Sequence, residues 1–139
     1  MSDVQALQDV LAGEHAALWV YGVLGGQTSS SGNPGLYRDV SAAYRLHRAR
    51  RDELVRAVRE AGETPTPAAL GYELPNEVRN PAEIRATARL TEERCAATYA
   101  DLVGRTTGRH RAWAIRALGD AATRELDFGG EPSSLPGLT

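Results

Sequence analysis

Apolar residues recur at helical spacing through four stretches of the chain, and nowhere do they alternate with the two-residue period of a strand. In the first stretch Leu7, Val10, Leu11, Glu14, Leu18 and Tyr21 share one face. In the second the face reads Val40, Ala43, Tyr44, His47, Arg51, Leu54, Val55 and Val58. The pattern predicts an all-α chain of four helices. Helix one runs from an N-cap at Ser2 to the Gly25-Gly26 pair, and helix two from about Leu36 to Glu60, with Gly62 as its stop. Helix three begins at Pro81 behind the cap residue Asn80 and continues through Leu102 to Gly104. Helix four runs from about Arg109 to Asp127. Residues 27–35, QTSSSGNPG, read as a polar loop. Residues 1–127 are expected to form one helical domain and residues 128–139 an irregular tail.

The connection between helices two and three carries the topology. Its sequence, ETPTPAALGYELPNEVRNP, holds four prolines and cannot be regular helix. Helices of about 24 residues are about 36 Å long, and about eighteen extended residues at up to about 3.3 Å each can span that length. Two helical hairpins joined by a long crossover are therefore expected, which is the arrangement of a ferritin-like four-helix bundle. An up-down-up-down bundle stays open if the proline-rich stretch is only a decorated loop.

Glu14, His47 and Arg51 interrupt these apolar faces. A charge left unpaired in a low-dielectric interior costs several kcal/mol, a large share of a domain's whole stability. The three side chains are thus expected to meet in one polar cluster, with Tyr21 and Tyr44 as further hydrogen-bonding groups. Such a cluster can simply pair with itself, Arg51 meeting Glu14 and Asp120. Alternatively, the planar fork of Arg51 can hold a small anionic ligand, a carboxylate or a phosphate.

Composition narrows the chemistry. All 16 basic residues are arginine, which excludes Schiff-base and lysine general-base catalysis. The single cysteine, Cys95, permits no disulfide within the chain and no thiolate metal cage, and fits a cytoplasmic location. It falls on the inward side of helix three between Thr91 and Thr98 and reads as an inert buried thiol. No apolar run approaches the ~18 residues of a membrane span, and the opening MSDVQALQDV lacks the basic region of a signal peptide. A formal charge of −2 gives no general attraction to nucleic acid. Arg45, Arg48, Arg56 and Arg59, interspersed with Asp52 and Glu60, read as a solvated face of helix two. No Ser-His-Asp order, Gly-rich phosphate loop or His-Glu-x-x-His signature is present. Helix one carries Ala16, Trp19, Val20 and Val23 outside its inward face, so it is apolar nearly all round and a homodimer through helix one is expected.

Four segments in order, AGEHAALWVYGVLGG, HRARRDELVRAV, GYELPNEVRNPAE and the terminal SLPGLT, span most of the chain. In these it resembles a small bacterial ferritin-like family of unknown function. The resemblance implies a four-helix bundle and supplies no reaction. A di-iron centre of the ferritin-like kind draws one carboxylate from each of two helices and Glu-x-x-His from each of the other two. Glu14 and Glu92 match the two single carboxylates. Helix two has Tyr44 where the glutamate preceding His47 belongs, and Arg51 one turn beyond. Helix four has Asp120 followed by Thr123 where a histidine belongs. The expectation is a non-catalytic bundle without a cofactor, whose polar core binds a small anion or whose surface binds a protein partner. The competing reading is a metalloprotein that uses Glu14, His47, Glu92 and Asp120 for iron or manganese chemistry.

Overall fold

A computed structural model describes residues 3–138, so the expected cap at Ser2 lies outside the described residues. Four helices account for its regular structure: α1 (Asp3–Gln27), α2 (Pro34–Glu60), α3 (Pro81–Arg105) and α4 (Gly108–Asp127), with no strand among the described residues. The boundaries follow local chemistry. Asn33 and Asn80 each accept a hydrogen bond from a first-turn amide, of Leu36 and Glu83, and each is followed by a proline that needs no hydrogen-bond acceptor. Glu83 reaches back to the Arg79 amide at 2.8 Å and satisfies a further exposed donor. The chain turns out of α2 at Gly62, whose φ of +85° lies in the left-handed region.

Contacts fix the directions of the helices. On α1 and α2, Glu14 meets His47 and Gly22 approaches Tyr44, so the two run antiparallel. On α1 and α3, Asp9 meets Arg105, Glu14 meets Tyr99 and Tyr21 meets Glu92, again antiparallel. His47 lies opposite Glu92 and Arg50 opposite Tyr99, so α2 and α3 point the same way. The connection of residues 61–80 makes this possible by running up the outside of α1. Gln8 exchanges two hydrogen bonds with Thr64 and Thr66, His15 contacts the Thr66 carbonyl at 2.8 Å, and Trp19 packs on Tyr72 with ring centres 6.0 Å apart.

That path accounts for part of the outer apolar face of α1, from which a dimer was expected: Leu74 and Val78 join Trp19 against the core, while Ala16 and Val20 line a cavity shared with α3. Apolar residues at such positions need burial, and the proline-rich segment provides it for Trp19.

The core forms two apolar clusters. One gathers Leu7, Leu11, Leu54, Tyr99, Leu102 and Ala114; the other gathers Tyr21, Leu24, Leu36, Val40, Ile84 and Phe128. Each fully buried side chain of this size contributes about 1.5–3 kcal/mol. Glu14, His47 and Glu92 occupy the level between the clusters on their three helices, and all are at most 1% exposed. The segment after α4 is irregular yet packed: Phe128 is buried, and Gly137, with φ +81°, sits so close to α3 that a Cβ would lie 2.4 Å from the Ala96 carbonyl oxygen.

Candidate functional site: a buried ionic ladder

The level between the two clusters holds an unbroken chain of polar contacts. His47 Nδ1 is 2.6 Å from Glu14 Oε2, and its Nε2 is 2.8 Å from Glu92 Oε2. Tyr21, two turns along α1 from Glu14, donates its hydroxyl to the same Glu92 oxygen at 2.5 Å. Its ring also stacks on the imidazole, 5.4 Å between centres. On the other side Tyr99 donates to Glu14 Oε1 and accepts from Arg50 at 3.1 Å. Arg50 also donates to Asp120 at 2.7 Å, and Arg124 donates to the same Asp120 oxygen at 2.6 Å. All four helices contribute, so the ladder ties the two hairpins together.

Proton bookkeeping fixes the charge state. Ionised carboxylates only accept hydrogen bonds, so a ring placed between two of them must donate from both nitrogens and is an imidazolium. Burial pulls the imidazole's pKa down, but the hydrogen bonds and charges of Glu14 and Glu92 outweigh it and raise the pKa from 6.5 to about 9. Three carboxylates, Glu14, Glu92 and Asp120, then face three cations, His47, Arg50 and Arg124, with no net charge left over. Burial and the adjacent Glu92 charge hold the Tyr21 hydroxyl well above its usual range. Burial, followed by the charges of Glu14 and Glu92, does the same to the Cys95 thiol. Near neutral pH this set offers neither a basic nitrogen lone pair nor a thiolate.

Of the residues expected in the cluster, Glu14, His47 and Tyr21 are in it, and two are not. Arg51 is corrected to its neighbour Arg50. The Arg51 side chain is 34% exposed and bonds the adjacent Asp52, whereas Arg50 is buried between Tyr99 and Asp120. Positions three and four residues after His47 lie on either side of its helical direction, and the acceptors lie on the Arg50 side. Tyr44 is half-buried and packs under the Arg48 guanidinium, 5.8 Å from its ring centre, with no hydrogen bond into the ladder. Tyr99 and Arg124 were missed. The sequence signal for Tyr99 was its place on one α3 face with Glu92 and Cys95, at spacings of seven and four residues.

The donors offer a divalent ion little. Both His47 nitrogens already face carboxylates, so an ion could bind the ring only by displacing a proton and one carboxylate. Asp120 does not converge with Glu14, His47 and Glu92; it lies beyond Tyr99, held by two guanidiniums. No described group of three or more His, Cys, Asp or Glu side chains has metal-binding geometry.

Residues 6–139 match the domain of unknown function DUF4439. The chain belongs to that family. The fold of this DUF4439 domain is similar to that in the crystal structure of a conserved hypothetical protein, rv2844, from Mycobacterium tuberculosis. The TM-score is 0.83 at 31% identity, over 91% of this chain and 93% of that one. No curated protein matches this DUF4439 chain. No helix in its described part is long and apolar enough to cross a membrane.

Proposed function

We propose that this domain is a ferritin-like four-helix bundle in which an internal ion-pair ladder stands where relatives of that architecture would hold metal, and that its role is to bind rather than to catalyse. The observation that carries the reading is the imidazolium of His47, held between Glu14 and Glu92 with both nitrogens engaged. The parallel course of α2 and α3, with the 61–80 connection along α1, supports the ferritin-like arrangement. In this reading Arg50 and His47 supply fixed positive charge at the centre of the bundle, and a di-iron or di-manganese pair is absent. A cytoplasmic location remains part of the proposal and rests on the single free thiol.

One observation favours a second reading. Glu92 Oε1 is buried and without a hydrogen-bond partner, which is unusual for a carboxylate oxygen and would suit a small cation. Mass spectrometry on protein purified without chelator and then exposed to Fe(II) and Mn(II) separates the two. The ladder reading expects no stoichiometric metal in either the wild type or Glu14→Ala. One ion per chain, lost in Glu14→Ala, would replace it with the iron or manganese protein.

A homodimer fits this fold better through α4 than through α1, whose Trp19 is occupied by the 61–80 connection. Ile115 and Leu126 are 54% and 45% exposed on one α4 face, with Leu118 and Ala122 between them. Arg111 flanks the start of that face and Glu125 its end, so antiparallel pairing with a second copy sets opposite charges together. Sedimentation equilibrium is expected to show a dimer that Ile115→Asp converts to monomer; a wild-type monomer at high micromolar concentration would remove the dimer from the reading.

A further inference from the structure

α2 packs along α1 and α4 along α3, whereas α2 and α4 meet mainly through side chains, Glu53 with Trp113, Glu60 with Arg109 and Arg50 with Asp120. Two cavities of about 690 and 380 Å³ lie along the gap and share Ala49, Glu53, Trp113 and Arg116, so they form one cleft. Its size is that of a site for a small organic molecule. Leu7, Leu54, Ala57 and Ala117 contribute apolar surface to it, and Trp113 lines both halves. The inner end is closed by Arg50 and Asp120, the outermost pair of the buried ladder.

Four guanidiniums and four carboxylates line this cleft, but they do not all pair with one another. Each carboxylate already has a partner: Asp52 takes Arg51, Glu53 takes the Trp113 indole N–H at 2.5 Å, Glu60 faces Arg109, and Asp120 takes Arg50 and Arg124. Two of those partners, Arg51 and Arg124, stand outside the cleft lining. Arg56 on α2 and Arg116 on α4 line the cleft and have no acidic partner among the described residues. Two guanidiniums are thus left over above an indole and aliphatic floor. A planar fork beside apolar surface suits a carboxylate, sulfonate or phosphate carried on an apolar body.

We infer that the α2–α4 cleft is a binding site for an amphipathic organic anion, its apolar body lying against Trp113 and its anionic group held by Arg56 and Arg116. The inference rests on the binding role proposed above and gives that role a place and a ligand class. It places the site beside the buried ladder, whose Arg50 guanidinium is already engaged by Tyr99 and Asp120.

Trp19→Phe leaves Trp113 as the one tryptophan and makes its fluorescence a direct reporter. The probes are the anionic 8-anilinonaphthalene-1-sulfonate and its uncharged relative N-phenyl-1-naphthylamine, titrated against natively folded protein. The anion is expected to quench Trp113 to saturation at one molecule per chain, at least about tenfold more tightly than the neutral compound. Arg56→Ala with Arg116→Ala should abolish that preference and leave the neutral compound's affinity unchanged. Absence of quenching, equal affinity for the two probes, or a preference that survives the double replacement would each overturn the inference. Because no metal enters this measurement, its failure is separate from failure of the ladder reading, which the metal analysis decides.

Discussion

His47→Leu is expected to destabilise the domain by about 3–5 kcal/mol, the usual consequence of removing one partner from a buried ionic group. His47, Glu14 and Glu92 are each at most 1% exposed, and apolar clusters lie on both sides of them. Leucine restores most of the lost volume, so the penalty comes from two carboxylates that lose their shared cation and not from a cavity. Glu14 keeps Tyr99 and Glu92 keeps Tyr21, but a phenol does not neutralise a carboxylate. Adding Glu14→Gln and Glu92→Gln to His47→Leu removes the charge problem, leaves both tyrosine hydroxyls an amide acceptor, and should recover part of the loss. Urea unfolding of the four proteins formed by the wild type, the single variant, and each glutamine added in turn gives these differences directly. A loss below about 1 kcal/mol in the single variant would mean that the imidazolium holds little of the bundle together.

The helical periodicity of the sequence was sufficient to place Glu14 and His47 on facing surfaces, because each is flanked within two turns by residues that need burial, such as Leu11 and Leu18, or Ala43 and Leu54. It was insufficient to choose between Arg50 and Arg51. Both lie within reach of the same helix face, and the choice is made by Tyr99 and Asp120 on two other helices, which no local pattern reveals. Trp19 shows the same limit. Its position outside the inward face pointed to a partner surface, and only the path of the 61–80 connection shows that Tyr72 lies against it. The four helices themselves were legible because their stops are chemical: Gly62, the Asn80-Pro81 pair, and the prolines between α2 and α3, whereas the Asn33-Pro34 pair starts α2 two residues earlier than expected. The α2–α4 cleft was not legible, since it arises where two helices meet only loosely through side chains and not from anything either helix says alone.

Stability should decline as pH rises from about 6.5 towards 9. In the unfolded chain His47 gives up its proton near 6.5, whereas in the folded protein the two carboxylates hold that proton until about 9. Below 6.5 both states carry the proton and the ladder contributes fully. Between the two values only the folded state does, so each unit of pH removes about 1.4 kcal/mol, and the whole displacement amounts to about 3 kcal/mol. The sign is opposite to that of a salt-bridged carboxylate, which loses its contribution towards acid. Neighbouring groups do not reverse it: burial raises the Tyr21 and Tyr99 hydroxyls and the Cys95 thiol, so these stay protonated through the window, and Arg50 stays charged. Unfolded Cys95, with an ordinary pKa near 9, begins to ionise near 8, which would steepen the decline there, so the diagnostic range ends at about pH 8. Urea midpoints across that range should fall steadily in the wild type and lose this slope in His47→Leu. A flat wild-type profile would show that His47 is not an imidazolium, and a slope retained in His47→Leu would assign the titration to another group.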